Sequence, residues 1–172
     1  MGSWVDLEMI RRITLLLFVL LSVGGVFAGF PDMIKDIDGS VIDLKQMASE
    51  KRLAVITLKT AECPVCQQQL IRIKEKLSEL IVCNVTFIVL SPGSIDKIQK
   101  VKSKTQFPFP FIMDEDLTIS KSLNLNMDDN QILPSILILN NKLEIEWEQR
   151  GRNALYFGDP ELMKILNCSS WI

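Results

Sequence analysis

The stretch LAVITLKTAECPVCQQQLIRIKEKLSEL, residues 53–80, turns from a strand into a helix at a pair of cysteines. Its first six residues are apolar but for Thr57, partly β-branched and without alternation, the pattern of a strand buried on both faces in the middle of a parallel sheet. Beyond residue 64 the period changes. Leu70, Ile73, Leu77 and Leu80 recur at intervals of three and four, while Arg72, Lys74, Glu75 and Lys76 fall largely on the other side. The spacing predicts an amphipathic helix over 64–80, and Cys63-Pro64-Val65-Cys66 stands where strand gives way to helix.

That placement has chemical consequences. A cysteine at a helix N-terminus faces unpaired backbone N–H groups and the positive end of the helix dipole, and both favour thiolate over thiol. Cys63 is therefore the expected nucleophile. Cys66, one turn later on the same side, can attack a mixed disulfide on Cys63 and release the reduced partner. Pro64 suits the first turn, where its missing N–H would have no helical partner. Neighbouring charge acts both ways, Glu62 opposing a thiolate and Lys59 favouring one. A static disulfide or half of a zinc site would use the same tetrad, but zinc needs two further ligands where only Cys83 and Cys168 remain. A CxxC set between a buried strand and an amphipathic helix points instead to redox chemistry, without a metal or cofactor.

Outward from this stretch the chain alternates strands and helices. Upstream, 32–44 reads as a short hairpin, with Asp38-Gly39 as its turn. Downstream, VTFIVLS (85–91) is a second buried strand, closed by Pro92-Gly93 and followed by a weaker helical pattern through Ile95, Ile98 and Val101. The prolines of FPFPFIMD enforce extended backbone, 117–125 reads as a short helix, and 135–139 with 143–147 as a hairpin across Asn140-Asn141. A last helix is expected near 160–166. The acidic clusters Asp114–Asp116 and Asp128-Asp129 read as solvated loops. Together these elements predict an α/β fold with a mixed sheet.

The 172 residues, 48% of them hydrophobic, suffice for one core. Lys plus Arg number 19 against 21 Asp plus Glu with no long run of one sign, so no footprint for nucleic acid is expected. The chain lacks histidine, which removes the commonest general base and metal ligand. Neither a P-loop nor a Gly-rich dinucleotide turn occurs. After Arg11 and Arg12, the uncharged run 13–30 is read as a signal peptide or as an N-terminal membrane anchor. Val26 and Ala28 fit a cleavage site, and the full length fits retention. Residues 31–172 would then form the domain, in a lumenal, periplasmic or extracellular space, where Cys83 and Cys168 are open to pairing.

On these residues the chain resembles the thioredoxin superfamily, in particular the redoxin branch that includes the AhpC/TSA peroxiredoxins and the TlpA-like membrane-tethered thiol-disulfide proteins. The resemblance covers most of 31–166, through DIDGSVIDL, AECPVC, FPFIMDEDLTISKSLNL and LPSILILNNKLEIEWEQRG. CPVC with LPSILIL is also similar to the MauD-type accessory proteins. It implies a thioredoxin-like three-layer fold and exchange of disulfides with protein thiols or disulfides, with Pro64 and Val65 offered to the partner. Leu133-Pro134 would match the family's cis-proline loop, which holds the partner backbone, while the plain reading of Pro134 from its residues is a strand-start proline. The chain departs from the family at three places. Where thioredoxins bury an acid, it has Thr57 or its neighbours. Glu62 replaces the usual tryptophan. Thr60 matches the peroxiredoxin Pro-x-x-x-Thr-x-x-Cys pattern, but Ile56 stands at the proline position and no arginine adjoins Pro134. The resemblance thus implies a thiol-disulfide oxidoreductase first, a thiol peroxidase second, and leaves a non-enzymatic thioredoxin-like binding module as a third reading.

Overall fold

The computed structural model describes residues 29–151 together with 164 and 165. A small antiparallel hairpin comes first, β1 (Met33–Lys35) paired with β2 (Val41–Asp43). Its turn is built as the sequence predicts. Gly39 takes φ +89°, a left-handed conformation open to a residue without Cβ, and the Asp36 carboxylate accepts from the N–H groups of Asp38 and Ser40. The five-stranded sheet that follows has the order β5-β4-β3-β6-β7. It consists of β3 (Arg52–Thr57), β4 (Val85–Ser91), β5 (Phe111–Met113), β6 (Ser135–Leu139) and β7 (Ile145–Arg150). β3, β4 and β5 run parallel, whereas β6 and β7 run antiparallel to their neighbours.

Alternation along the strands sorts the core into two layers. Ala54 and Ile56 of β3 point to one face, joining Phe87, Val89, Ile136 and Ile138. There they meet Cys66, Leu70 and Ile73 of α2 (Pro64–Glu75) and Ile98 and Val101 of α4 (Ile95–Thr105). Leu53 and Val55 point to the other face, with Ile88, Leu90, Leu137 and Leu139, against Leu44 and Ala48 of α1 (Leu44–Glu50) and the leucines flanking α5 (Thr118–Ser122). The result is the predicted three-layer α/β fold. Phe30, at the end of the apolar N-terminal run, is buried in this second layer. Residues 13–28 of that run, Cys168 and most of the expected last helix lie outside the described residues. Among the described residues no helix is long and apolar enough to cross a membrane.

Several expectations need correction. The helix predicted over 64–80 breaks at Lys76, whose N–H reaches back to the Ile73 carbonyl at 3.0 Å. A separate turn α3 (Leu77–Leu80) and a 3₁₀ turn (Ile81–Cys83) then lead into β4. Helix α1 was not expected: the predicted hairpin ends at residue 44, where the helix begins, and no element was assigned between it and the strand at 53. Its signal was present in sequence, since Asp43 caps it by accepting from the Gln46 N–H at 2.8 Å. The β6–β7 hairpin does not turn on Asn140-Asn141 alone. Asn140 Oδ1 accepts from Lys142 N and Glu144 N, and Leu143 adopts φ +63° while burying its side chain in the second layer. Burial of Leu143 outweighs its backbone preference, so β7 starts at Ile145 rather than Leu143. Asp114 is no part of a solvated loop. It is buried and accepts hydrogen bonds from Ile119 N, Ser120 N and Ser120 Oγ, satisfying the start of α5.

Candidate redox site

β3 lies at the centre of the sheet, with β4 on one side and β6 on the other, so its carboxyl end sits where the chain's connections diverge. Open α/β sheets place functional groups at such an end. From Thr57 the chain passes through Leu58, whose N–H donates to the Leu90 carbonyl, and reaches the cysteines after five more residues. Cys63 caps α2. Its backbone is extended (φ −62°, ψ 106°), its Sγ accepts from the Cys66 N–H at 3.3 Å, and Pro64 takes the first helical turn.

Cys63 and Cys66 are joined in a disulfide with Cα atoms 5.3 Å apart. The two sulfurs differ in surroundings. Cys66 is fully buried and its Sγ accepts from the Lys59 N–H at 3.4 Å, whereas Cys63 is half-buried beside the exposed Pro64 and Val65. A reagent from solvent therefore meets Cys63 first, and Cys66 is reached only through it.

The Leu133-Pro134 loop is fastened to the same strand end. Ile132 N donates to the Lys59 carbonyl at 3.1 Å. The fully buried Thr57 hydroxyl donates to the Leu133 carbonyl and accepts from Ser135 N, each at 2.6 Å. Lys59 thus bonds the loop through its carbonyl and Cys66 through its N–H. The cis-proline expectation is corrected here. No cis peptide occurs among the described residues, and Pro134 is the buried residue entering β6, a strand-start position where a missing N–H leaves no ladder bond unmade. Thr57, singled out in sequence only as the place of an absent acid, is the clamp of this loop. Its partners lie 76 and 78 residues away, and no local pattern could have announced them.

Geometry settles the Glu62 half of the charge ambiguity around Cys63. Lys97, at the start of α4, reaches Glu62 at 2.6 Å, and this hydrogen-bonded ammonium holds the Glu62 carboxyl below the usual carboxylate value. The pair is complete at neutral pH, and whatever it contributes is lost as pH falls through that lowered value; with both partners largely exposed, the contribution to stability is small. Lys97→Ala leaves an uncompensated carboxylate next to Cys63, so alkylation of the reduced protein by iodoacetamide at neutral pH is expected to slow about two- to threefold, and to quicken similarly in Glu62→Gln. Unchanged rates in both variants would remove the pair from the site's electrostatics.

A disulfide-forming CxxC at the head of a helix, behind the central strand of a mixed sheet, defines a thioredoxin-like redox protein. The chain belongs to the AhpC/TSA family, whose model matches residues 29–148. None of the curated proteins matches it. Among solved structures, it is similar to the peroxidoxin BcpB of Mycobacterium tuberculosis, with a TM-score of 0.66 and 13% identity over 79% of this chain and 89% of that one. Peroxiredoxin Q of Xanthomonas campestris gives a TM-score of 0.65 and 18% identity over 78% and 88%. A secreted Mycobacterium tuberculosis disulfide oxidoreductase homologous to Escherichia coli DsbE gives 0.61 and 16% over 81% and 95%. At these identities the likeness establishes the fold.

Proposed function

We propose that the protein is a thiol-disulfide oxidoreductase that exchanges disulfides with protein partners outside the cytosol. The observation that carries this reading is the asymmetry of the Cys63–Cys66 pair, one sulfur at the surface on a helix N-terminus and the other fully buried behind it. In the reducing direction, the Cys63 thiolate attacks a partner disulfide, forming a mixed disulfide and releasing one partner thiolate. Cys66, as thiolate, then attacks the Cys63 sulfur, closes the internal disulfide and releases the second partner thiolate, so that two electrons pass to the partner. The oxidising direction is the reverse. Pro64, Val65 and the half-buried Leu133 offer the surface against which the partner chain lies, with the buried Pro134 fixing the backbone behind Leu133. The uncharged run at 13–30, followed by a domain holding a disulfide, supports an extracytosolic location, with the run as signal or anchor.

Removing the resolving sulfur tests the order of events. In Cys66→Ala the mixed disulfide has no internal exit, so covalent adducts with partner proteins are expected on non-reducing gels and should vanish on reduction. Should no adduct form in Cys66→Ala under conditions that cycle the wild type, the exchange reading is wrong.

Membership of the AhpC/TSA family favours one second reading, a peroxidase in which the Cys63 thiolate attacks the peroxide, breaking its O–O bond and releasing water or an alcohol, and the resulting sulfenic acid condenses with Cys66 to form the disulfide and release water. Stopped-flow peroxide consumption separates the two. A rate near that of a free thiol excludes the peroxidase, because a stabilised thiolate alone does not activate the peroxide.

A further inference from the structure

On the α4 side of the cysteine pair lies a groove of about 230 Å³. Its floor is apolar, formed by the buried Ala61 and Val101. One wall is lysine. Lys97, Lys100 and Lys104 recur at intervals of three and four along α4 and line the groove together. Glu62, the residue preceding Cys63, is the only carboxylate among the lining residues, and Lys97 neutralises it at 2.6 Å. Lys100 and Lys104 have no carboxylate at ion-pair distance among the described residues. Lys104 is held in place, since its Nζ donates at 2.8 Å to the amide oxygen of the buried Gln67, whose Nε2 donates in turn to the Ala61 carbonyl at 2.9 Å. Asp96, the one acid on α4, lines an adjoining surface together with Gln99, Ser103 and the outer sides of the same Lys100 and Lys104, without forming an ion pair with either. Among the described residues, the groove therefore carries two lysines without an ion-pair partner, and three lysines against one carboxylate in all, over an apolar floor that begins two residues before Cys63.

We propose that this groove receives acidic side chains of the polypeptide that carries the reacting cysteines, so that Cys63 exchanges preferentially with partners whose cysteine is flanked by Glu or Asp. The proposal rests on the exchange reading above and adds the partner's chemistry to it. The aliphatic stem of a glutamate fits against Ala61 and Val101 while its carboxylate meets Lys100 and Lys104, and the same charges steer the encounter from a distance. Glu62 does not repel such a segment, because Lys97 cancels it.

The test uses the reduced full chain and three synthetic peptides, each closed by one internal disulfide and alike except for Glu, Gln or Lys beside the cysteines. Peptide reduction, coupled to formation of the Cys63–Cys66 disulfide, is followed by acid quench and mass spectrometry. At low ionic strength the Glu peptide is expected to react on the order of tenfold faster than the Lys peptide. That ratio should fall toward one in ~0.5 M salt, where screening acts over a few ångströms, and in the double variant Lys100→Gln/Lys104→Gln. Equal rates for the three peptides, or a ratio that survives the double variant, would overturn the proposal. Absence of reaction with all three would instead overturn the exchange reading, and the proposal with it.

Discussion

Replacing Thr57 by Val is expected to destabilise the oxidised protein by about 1–3 kcal/mol, measured as a lower urea midpoint at unchanged slope. The exchange is nearly isosteric, so the loss is polar. The Thr57 hydroxyl donates to the Leu133 carbonyl and accepts from Ser135 N in a site closed to water. Ser135 Oγ also reaches the Leu133 carbonyl, at 3.2 Å, and keeps that acceptor satisfied. The Ser135 N–H has no such substitute, and a buried donor left without a partner costs more than the bond itself contributes. Thr57→Ser retains the hydroxyl and is expected to lose only the methyl packing, about 1 kcal/mol. If Val and Ser variants are equally stable, the clamp contributes nothing and the loop is held by packing alone. Because the clamp fixes the 133–135 backbone relative to Lys59 and Cys66, Thr57→Val should also slow exchange with protein partners more than reaction with a small thiol.

Cys63→Ser is expected to abolish disulfide exchange with every partner, while Cys66→Ser still forms adducts. Serine offers no sulfur for a mixed disulfide, and the buried Cys66 is shielded from a partner. The fold should persist. Serine is a favourable N-cap, able to accept from the Cys66 N–H as the Cys63 sulfur does, and the lost disulfide closes a loop of only four residues, worth about 2 kcal/mol at most. A native circular dichroism spectrum with no exchange activity is the expected combination. Residual exchange in Cys63→Ser would show that Cys66 is accessible and that the order of attack proposed above is wrong.

Legibility in the sequence followed the range of the interactions. The strand at 85–91 was read to the residue, and that at 53–58 to within one, because an unbroken apolar run is a local record of burial on both faces. Helix starts were equally plain where a proline or a cap announced them, as at Pro64. Ends were less so. The break at Lys76 and the displaced start of β7 depend on where Leu80 and Leu143 find room in the two core layers, which no local pattern states.

The same division runs through the site. By itself the sequence determined that a Cys-x-x-Cys pair heads a helix behind a buried strand, and hence that Cys63 stands on the positive helix end with Cys66 one turn behind, since those facts depend on neighbours a few residues apart. Only the tertiary structure decided that Thr57 ties down the Leu133-Pro134 loop, that Pro134 is a trans strand-start residue, that Lys97 silences Glu62, and that Lys100 and Lys104 face a groove beside Cys63. The physical reason is sequence distance. These partners lie between 35 and 78 residues apart for Glu62–Lys97 and Ser135–Thr57, and only the packing of β3 between β4 and β6 brings them within hydrogen-bond reach.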